Sequence, residues 1–395
     1  MLVYKRILYF VAKLISKTDS NRIVFESFQG RSYACNPKGI YEAMILDTAY
    51  QDFKYTWVFR DINKGNTLIS HEKTNLVKFE SFGYYKALAS AKYWIFNSNT
   101  RSFLKPGKEQ VFVQTWHGTP LKKIGCDVVK EGNAVTKVSE IPKIYNTEAK
   151  KISYMISPSA YCTEKLISAF HLDAYGKQDA VLEIGYPRND SLFTFEKNKV
   201  NRIKEKLGIK EDKKVILYAP TFRDHKHSPK EGFSLEIGID FEQLKNQLYE
   251  EYVVLFRAHY FIARQMNLKK YEGFVYDVSN INDVNELYVI SDMLITDYSS
   301  VFFDYANLRR PMFFFMYDYD EYKNQVRDLY FDISELPGPI VHCQEELVRA
   351  IKEYNLEEWK EQYQRFHEKY NYLDGPDCGK KAAQIIIRNE KIRST

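Results

Sequence analysis

The sequence predicts an α/β protein with two doubly wound, parallel-sheet domains in tandem. Short apolar runs alternate with helical patterns along most of the 395 residues, which is typical of parallel sheets covered on both faces. A strongly charged segment at residues 198–214 interrupts this alternation, and a second series of strands and helices begins after it. With 45% apolar residues, a chain of this length has enough material for two buried cores.

The individual elements follow from the position of the apolar runs. Predicted strands lie at residues 22–28, 56–59, 93–97, 111–116, 153–157, 181–185, 215–219, 252–257, 274–276, 293–296 and 312–315. Predicted helices lie at residues 38–49, 82–89, 160–170, 241–249, 284–290, 300–308, 345–353, 356–369 and 380–391. The chain is thereby divided into an N-terminal helix (1–18), two Rossmann-like domains (19–205 and 206–376) and a C-terminal helix (377–395). Open parallel sheets bind ligands beyond the carboxyl ends of their strands, so we expect both domains to face a central cleft.

Composition excludes several classes of protein. A net charge of +5 without a basic block argues against nucleic-acid binding, and is compatible with an anionic substrate or membrane surface. The glycine-rich signatures of dinucleotide and ATP sites are absent. Five scattered cysteines predict a reduced, cytosolic protein without disulfides or zinc, and no apolar run is long enough to span a bilayer.

The N-terminal segment has an amphipathic pattern. Apolar residues recur at helical spacing on one side and basic residues share another. These are Val3, Ile7, Phe10 and Leu14, and Arg6, Lys13 and Lys17, respectively. Lys13 interrupts the apolar stretch and no cleavage site follows, which argues against a signal peptide. Two interpretations stay open: a helix on the membrane surface, or a terminal helix packed on its own domain.

His117 is the first candidate catalytic residue. It ends an apolar strand and is followed by Gly118, which permits close approach to the backbone, and by Pro120, which suits the first turn of a helix. A histidine at the carboxyl end of a parallel strand is placed to face a ligand, and an imidazole with a pKa of about 6.5 can act as a general base. The alternative is a core histidine bonded to the backbone.

Three strand ends of the second domain carry candidate phosphate ligands. Arginine forks and hydroxyls suit phosphate oxygens, a protonated histidine stabilises a leaving phosphate, and serines at a helix N-terminus accompany an anion site. The candidates are Thr221 and Arg223, then Arg257 and His259, then Thr296, Ser299 and Ser300. The alternatives are solvated arginines, a loop-packed histidine and an ordinary helix cap.

Two further features have weaker chemical content. Asp318 and Asp320 form an Asp-x-Asp pair, which can hold a divalent metal, but such pairs are common in a chain rich in aspartate and tyrosine, so we expect no metal. Arg327 is within reach of a phosphate in one interpretation and a solvated surface arginine in the other.

Taken together, these stretches resemble the CDP-glycerol glycerophosphotransferase family of teichoic-acid biosynthesis. The resemblance covers residues 20–390, and several separated motifs in the right order make it specific. The matching stretches are Trp116-His-Gly-Thr-Pro-Leu-Lys, Tyr218-Ala-Pro-Thr-Phe-Arg, Arg257-Ala-His-Tyr, Thr296-Asp-Tyr-Ser-Ser-Val-Phe-Phe-Asp-Tyr, Arg310-Pro-Met-Phe-Phe-Phe, Tyr317-Asp-Tyr-Asp and Phe331-Asp with the later Leu-Pro-Gly-Pro-Ile.

The resemblance implies a GT-B-like architecture, with an acceptor domain followed by a CDP-donor domain. It implies that His117 and His259 are the functional pair and that neither a metal nor a cofactor is required. It further implies an undecaprenyl-diphosphate-linked glycan acceptor and peripheral attachment to the cytoplasmic side of the bacterial membrane, which favours the membrane interpretation of the N-terminal helix. Lacking the large extra N-terminal domain of many family polymerases, the chain resembles a primase or short polymerase.

The expected reaction is transfer of glycerol phosphate from CDP-glycerol to an acceptor hydroxyl, with release of CMP. His117 serves as general base, while Arg257 and His259 stabilise the pyrophosphate. Three alternatives stay open: a CDP-ribitol or capsule polyol-phosphate transferase, a glycosyltransferase that uses a nucleotide-sugar, and a non-catalytic nucleotide or lipid-carrier binding protein.

Overall fold

The chain divides into two compact units in a computed structural model. The structure describes residues 2–129, 136–221, 227–228, 232–233, 238–258, 267–325 and 328–388. Unit 1 comprises the described residues within Met1–His117, Pro142–Asp190 and Leu373–Thr395, and unit 2 comprises those within Gly118–Ile141 and Ser191–Tyr372. Each unit is therefore built from separated segments, whereas the predicted domains were continuous in sequence.

Unit 1 contains a seven-stranded sheet in the order β3-β2-β1-β4-β5-β6-β7, with every pair parallel. The strands are β1 (Asp19–Glu26), β2 (Lys54–Phe59), β3 (Thr74–Lys78), β4 (Ala91–Phe96), β5 (Val111–Gln114), β6 (Tyr154–Ser157) and β7 (Val181–Glu183). Consecutive residues of the central strand β1, such as Ile23, Val24 and Phe25, are fully buried. Continuous apolar runs of this kind arise because helices cover both faces of a parallel sheet.

Three of the helices in this half begin at residues whose side chains cap the first turn. The helices of this half are α1 (Leu2–Ile15), α2 (Cys35–Ile45), α3 (Ile62–Leu68), α4 (Phe82–Ser90), α5 (Ile141–Ala149) and α6 (Ala160–Phe170). Asp61, Ser81 and Ser159 precede α3, α4 and α6, and their side chains accept a backbone N–H of the first turn. These caps satisfy donors that a helix start leaves without a partner.

Unit 2 contains a six-stranded parallel sheet in the order β12-β11-β8-β13-β14-β15. Its strands are β8 (Lys214–Ala219), β11 (Tyr252–Phe256), β12 (Val275–Asp277), β13 (Met293–Thr296), β14 (Met312–Phe315) and β15 (Ile340–Val341), and the short pair β9 (His227–Ser228) and β10 (Gly232–Phe233) is antiparallel. In each sheet the chain begins at an interior strand, adds strands on one side, and then crosses back to add the remaining strands on the other side. This is the doubly wound arrangement. The predicted fold class of two parallel-sheet α/β domains is confirmed.

The remaining helices are distributed over both units. They are α7 (Asp190–Thr194), α8 (Lys197–Leu207), α9 (Phe241–Leu248), α10 (Val284–Ile290), α11 (Val301–Tyr305), α12 (Tyr319–Gln325), α13 (Gln344–Lys352), α14 (Leu356–Tyr370) and α15 (Cys378–Arg388). The helix predicted at residues 300–308 is only partly correct, because α11 ends at Tyr305 and a 3₁₀ turn at Ala306–Leu308 follows.

Helix α1 packs on unit 1 through one face and exposes apolar side chains on another. Tyr9 is buried and donates its hydroxyl to the Lys105 carbonyl at 2.8 Å, and Lys5 forms an ion pair with Glu80. The exposed apolar side chains include Val3 (69%), Ile7 (53%), Phe10 (63%) and Leu14 (69%). The helix thus packs on its own unit, as one interpretation expected. Among the described residues, each helix is too short or too polar to span a bilayer.

Helix α15 is joined to the rest of unit 1 by a capping carboxylate and a close backbone contact. Asp190 accepts the backbone N–H groups of Cys378 (3.0 Å) and Gly379 (2.8 Å), which are the first two residues of the helix. Gly185 has φ +84°, and a Cβ atom there would lie 2.3 Å from the Leu373 carbonyl oxygen and 2.5 Å from the Cys378 sulfur. The chain therefore requires glycine at position 185 in order to bring α15 against the end of β7.

Candidate active site

A strained turn follows β5 and carries His117. Trp116 has φ +49° and Gly118 has φ +151°. Five other described non-glycine residues of unit 1 have positive φ, and three of them, Phe28, Gln29 and Cys35, lie in the segment after β1 and at the start of α2. Each such conformation costs on the order of 1–3 kcal/mol, and they gather at functional sites when the surrounding structure holds them in place.

Side chains from three parts of unit 1 hold this turn. Asn36, fully buried in α2, donates to the Thr115 carbonyl at 2.9 Å. Gln114 accepts the Trp116 N–H at 3.1 Å, and Arg188 donates to the His117 carbonyl at 2.7 Å. The Cys35 sulfur is 3.9 Å from the Trp116 carbonyl oxygen. These contacts fix the direction in which the His117 side chain leaves the sheet.

The hydrogen bond to His117 determines which ring nitrogen carries the proton. Nδ1 lies 2.7 Å from the Asn97 carbonyl oxygen, at the end of β4. Since a carbonyl oxygen only accepts, Nδ1 must donate, and the neutral ring then has its lone pair on Nε2. The ring packs 4.2 Å from the Trp116 ring, measured between centroids. This tautomer is the one that a general base needs.

The surroundings of His117 favour its neutral form. Burial within the surrounding protein lowers its pKa to about 4, the hydrogen bond to Asn97 opposes this shift, and the Arg188 guanidinium adds to it. The residue as a whole keeps solvent-exposed surface, and its hydration reduces the size of the shift without changing its direction. Because the pKa of His117 is shifted below its ordinary value, the ring is unprotonated at pH 7 and able to accept a proton.

In unit 2, the predicted donor residues follow three neighbouring strands. The strands β11, β8 and β13 are adjacent and parallel, so their carboxyl ends meet at one edge of the sheet. Asp297, which is buried, accepts the backbone N–H groups of Thr221 (2.8 Å) and Tyr298 (2.6 Å). This carboxylate therefore ties the loop after β8 to the loop after β13.

The side chains at this edge make bonds within unit 2. Arg257 donates through Nη1 to the carbonyl oxygens of Val278 (3.3 Å) and Ile281 (2.9 Å), and burial lowers its pKa. Thr296 is fully buried and donates to the Ala219 carbonyl at 2.8 Å. These bonds give Arg257 and Thr296 a role in holding the loops, and contact with a donor stays a prediction for both.

The other predicted donor residues have mixed outcomes. Either Ser299 or Ser300 was expected to cap this helix; Ser300 occupies the N-cap position of α11, but its side chain makes no capping hydrogen bond. Ser299 precedes it in the same loop. Arg223, His259 and Arg327 lie outside the described residues, and their roles stay predictions.

Beyond β14, unit 2 has a polar cavity of about 780 Å³. Its lining residues are Met316, Tyr317, Asp318, Tyr319, Asp320, Glu321 and His342. Asp318 accepts the Tyr298 hydroxyl at 3.2 Å, and the Tyr298 ring stacks on Tyr322. Within the described ranges no group of three or more His, Cys, Asp or Glu residues is placed to hold a metal ion.

The segment after His117 differs from its prediction. Lys122 bridges Leu329 in antiparallel fashion, and Tyr330 donates its N–H to the Leu121 carbonyl at 2.9 Å, within unit 2. Pro120 therefore does not begin a helix as we expected, because the segment pairs with another loop instead.

Comparison with known proteins identifies the family. The family model described as CDP-Glycerol:Poly(glycerophosphate) glycerophosphotransferase matches residues 8–388. The chain belongs to this family. This transferase is 37% identical to a teichoic acid poly(glycerol phosphate) polymerase of Bacillus spizizenii over 97% of its own length and 96% of that protein. It is 39% identical to a polymerase of the same name from Staphylococcus epidermidis, over 98% of its own length but only 53% of that protein.

A solved structure supports the same assignment. The transferase matches the wall teichoic acid polymerase TagF, in a histidine-to-asparagine variant soaked with CDPG, with a TM-score of 0.88 and 37% identity, over 98% of this chain and 93% of that one. The predicted family, the enzyme class and the GT-B-like fold class are confirmed. The same findings speak against a nucleotide-sugar glycosyltransferase and against a non-catalytic binding protein.

Sequence reasoning missed Arg188 and Asn97 as parts of the His117 site. Arg188 lies in the stretch Gly185-Tyr-Pro-Arg-Asn-Asp, directly after β7. A polar cluster at the end of a parallel strand was the signal used for the other candidates, and the same signal was present here. Asn97 acts through its backbone carbonyl, so its side chain carried no sign of that contact.

Proposed function

We propose that the chain transfers glycerol phosphate from CDP-glycerol to a hydroxyl of a teichoic-acid acceptor carried on undecaprenyl diphosphate, with His117 as the general base. The observation that carries this proposal is the Nδ1 hydrogen bond to the Asn97 carbonyl, which leaves Nε2 to accept a proton. Family membership supports the donor and the class of acceptor.

The chemical step follows from these roles. The acceptor hydroxyl gives its proton to Nε2 of His117 while its oxygen attacks the β-phosphorus of CDP-glycerol. The bond from that phosphorus to the bridging oxygen breaks, and CMP leaves with the electron pair. Positioning and charge neutralisation supply most of the barrier reduction in phosphoryl transfer. On this proposal the charge on CMP is balanced by the predicted donor ligands, namely Thr221, Arg223, Arg257, His259, Thr296, Ser299 and Ser300, without a required metal.

The reaction is tested with a panel of donors and one acceptor. The chain is incubated with CDP-glycerol, CDP-ribitol or UDP-N-acetylglucosamine and a synthetic prenyl-diphosphate disaccharide, and the products are weighed by mass spectrometry. We expect CMP release and a mass gain of glycerol phosphate with the first donor. One added unit would indicate a primase and a ladder would indicate a polymerase. Transfer only from CDP-ribitol, or only from the UDP-sugar, would contradict the glycerol assignment.

We further propose that α1 attaches the enzyme to the anionic cytoplasmic surface of the membrane. Its exposed surface carries Val3, Ile7, Phe10 and Leu14 at helical spacing. Its basic residues Arg6 and Lys13 are also exposed, as is Lys17 just after the helix. Apolar burial combined with attraction to anionic lipid is how interfacial helices bind.

Replacing both Ile7 and Phe10 in this helix by glutamate is expected to abolish most vesicle binding. Burying each of these side chains contributes about 1.5–3 kcal/mol, so their joint loss, together with two added negative charges, should weaken partitioning at least about 100-fold. Co-sedimentation with vesicles containing phosphatidylglycerol measures the effect. Leu46→Glu is the matched control, because Leu46 is 85% exposed on the same unit but lies outside α1. Equal binding by the double variant and the control would refute the role of α1.

A further inference from the structure

Arg188 lies in a short 3₁₀ turn directly after β7, and its guanidinium reaches the His117 turn. The turn is Pro187–Asn189. Nη1 donates to the His117 carbonyl at 2.7 Å and lies 3.6 Å from the Cys35 sulfur. The guanidinium also packs 4.8 Å from the centre of the Tyr186 ring. These contacts hold the guanidinium at the backbone of the His117 turn.

The backbone around Arg188 is anchored as firmly as its side chain. Its N–H donates to Asn36 Oδ1 at 3.2 Å, and Asn36 Nδ2 donates to the Thr115 carbonyl. Asp374 accepts the Tyr186 N–H and the Asn189 amide, each at 2.8 Å. One buried asparagine therefore links the Arg188 turn to the His117 turn, so the two turns are held as one unit.

We propose that Arg188 is a positioning residue for the transfer reaction: it holds the His117 carbonyl and places a permanent positive charge beside the imidazole, so that Nε2 meets the acceptor hydroxyl unprotonated. The inference rests on the proposed role of His117 as general base. Nothing in it requires Arg188 to touch the substrate.

The charges around His117 support this assignment. Phe28 and Asn97, which pack against or bond to the ring, are uncharged, and Arg31 directs its guanidinium to the Phe28 carbonyl at 3.1 Å. From α2 the nearby titratable group is the Cys35 thiol. Burial is the main cause that lowers the pKa of His117, and the positive charge of Arg188 adds to it in the same direction. A lower pKa extends the neutral, active form of a base to lower pH.

The test compares Arg188→Gln and Arg188→Lys in the wild-type and His117→Ala backgrounds. In each case kcat/KM for CMP release is measured from pH 4 to 9, and thermal unfolding confirms that the variant is folded. Arg60→Gln is the matched control, because Arg60 also packs on an aromatic ring and donates to a backbone carbonyl, that of Gln29.

We expect Arg188→Gln to lower kcat/KM about 10–100-fold, since a small misplacement of a catalytic group costs up to about 100-fold, and to move the acid limb of the profile to higher pH. Arg188→Lys should keep the acid limb near its wild-type position, because the charge remains. In the His117→Ala background, Arg188→Gln should cause no more than about a twofold further loss of kcat/KM. A residue that acts only through His117 has little further effect once the His117 side chain is removed.

Two outcomes would overturn the inference while leaving the proposed function intact. One is a wild-type rate for Arg188→Gln beside an inactive His117→Ala enzyme. The other is an equal loss from Arg188→Gln in both backgrounds with an unmoved acid limb, which would mark Arg188 as merely structural. Normal turnover of His117→Ala would instead contradict the proposed function itself.

Discussion

Replacing His117 by alanine is expected to lower turnover about 10²–10⁴-fold, which is the contribution of a placed general base. The neutral ring presents Nε2 as its proton acceptor, because Nδ1 donates to Asn97. Alanine removes that acceptor and leaves the sheet beneath it unchanged. Donor binding should persist, because the proposed donor ligands belong to unit 2 and His117 belongs to unit 1.

The measurement separates chemistry from binding. CMP release under saturating substrate gives kcat, and calorimetric titration with CDP-glycerol gives the dissociation constant. His71→Ala serves as the matched control, because His71 is another unit 1 histidine whose ring contacts a threonine hydroxyl. A His117→Ala enzyme that turns over like this control would exclude His117 as the base.

Replacing Gly185 by alanine is expected to destabilise unit 1 by about 2–6 kcal/mol. A left-handed backbone costs a non-glycine residue on the order of 1–3 kcal/mol, and overpacking adds about 1–3 kcal/mol. Here the new Cβ would lie 2.3 Å from the Leu373 carbonyl oxygen, and a backbone atom cannot swing aside as a flexible side chain does. The strand end and helix α15 would have to separate.

Urea unfolding, followed by circular dichroism, measures this loss. Gly176→Ala is the matched control, because Gly176 has φ +61° but a Cβ atom there would meet no neighbouring atom within 4 Å. The control should lose only the backbone cost, about 1–3 kcal/mol. Equal losses at both positions would show that the packing at Gly185 is looser than the distances indicate.

Sequence patterns located most of the sheet because its central strands are continuous apolar runs. β13 (Met293–Thr296) and β14 (Met312–Phe315) have the predicted bounds, and both are almost entirely buried. Four of the described strands were missed, namely the antiparallel pair β9 and β10 and one strand in each parallel sheet. β3 is an edge strand with a single buried residue, Val77, and β15 is a two-residue edge strand. Neither presents the apolar run that the search required.

The His117 site was only half predictable for a related reason. His117 follows an apolar strand directly, so its place at a strand end could be read from neighbouring residues. Arg188 is 71 positions further along the chain, and its contact depends on how α2, β5 and β7 come together in the fold. The sequence near one residue does not show which distant segments will contact it in the folded chain. It did show that polar residues follow each of these strands.

The return of the chain to unit 1 has a consequence for its biosynthesis. Helix α15 and the Asp374 carboxylate belong to unit 1, yet residues 191–372 of unit 2 precede them in the sequence. A ribosome therefore makes all of unit 2 before it makes the helix that completes unit 1. During translation the Gly185 contact surface of unit 1 stays uncovered until that helix has been made.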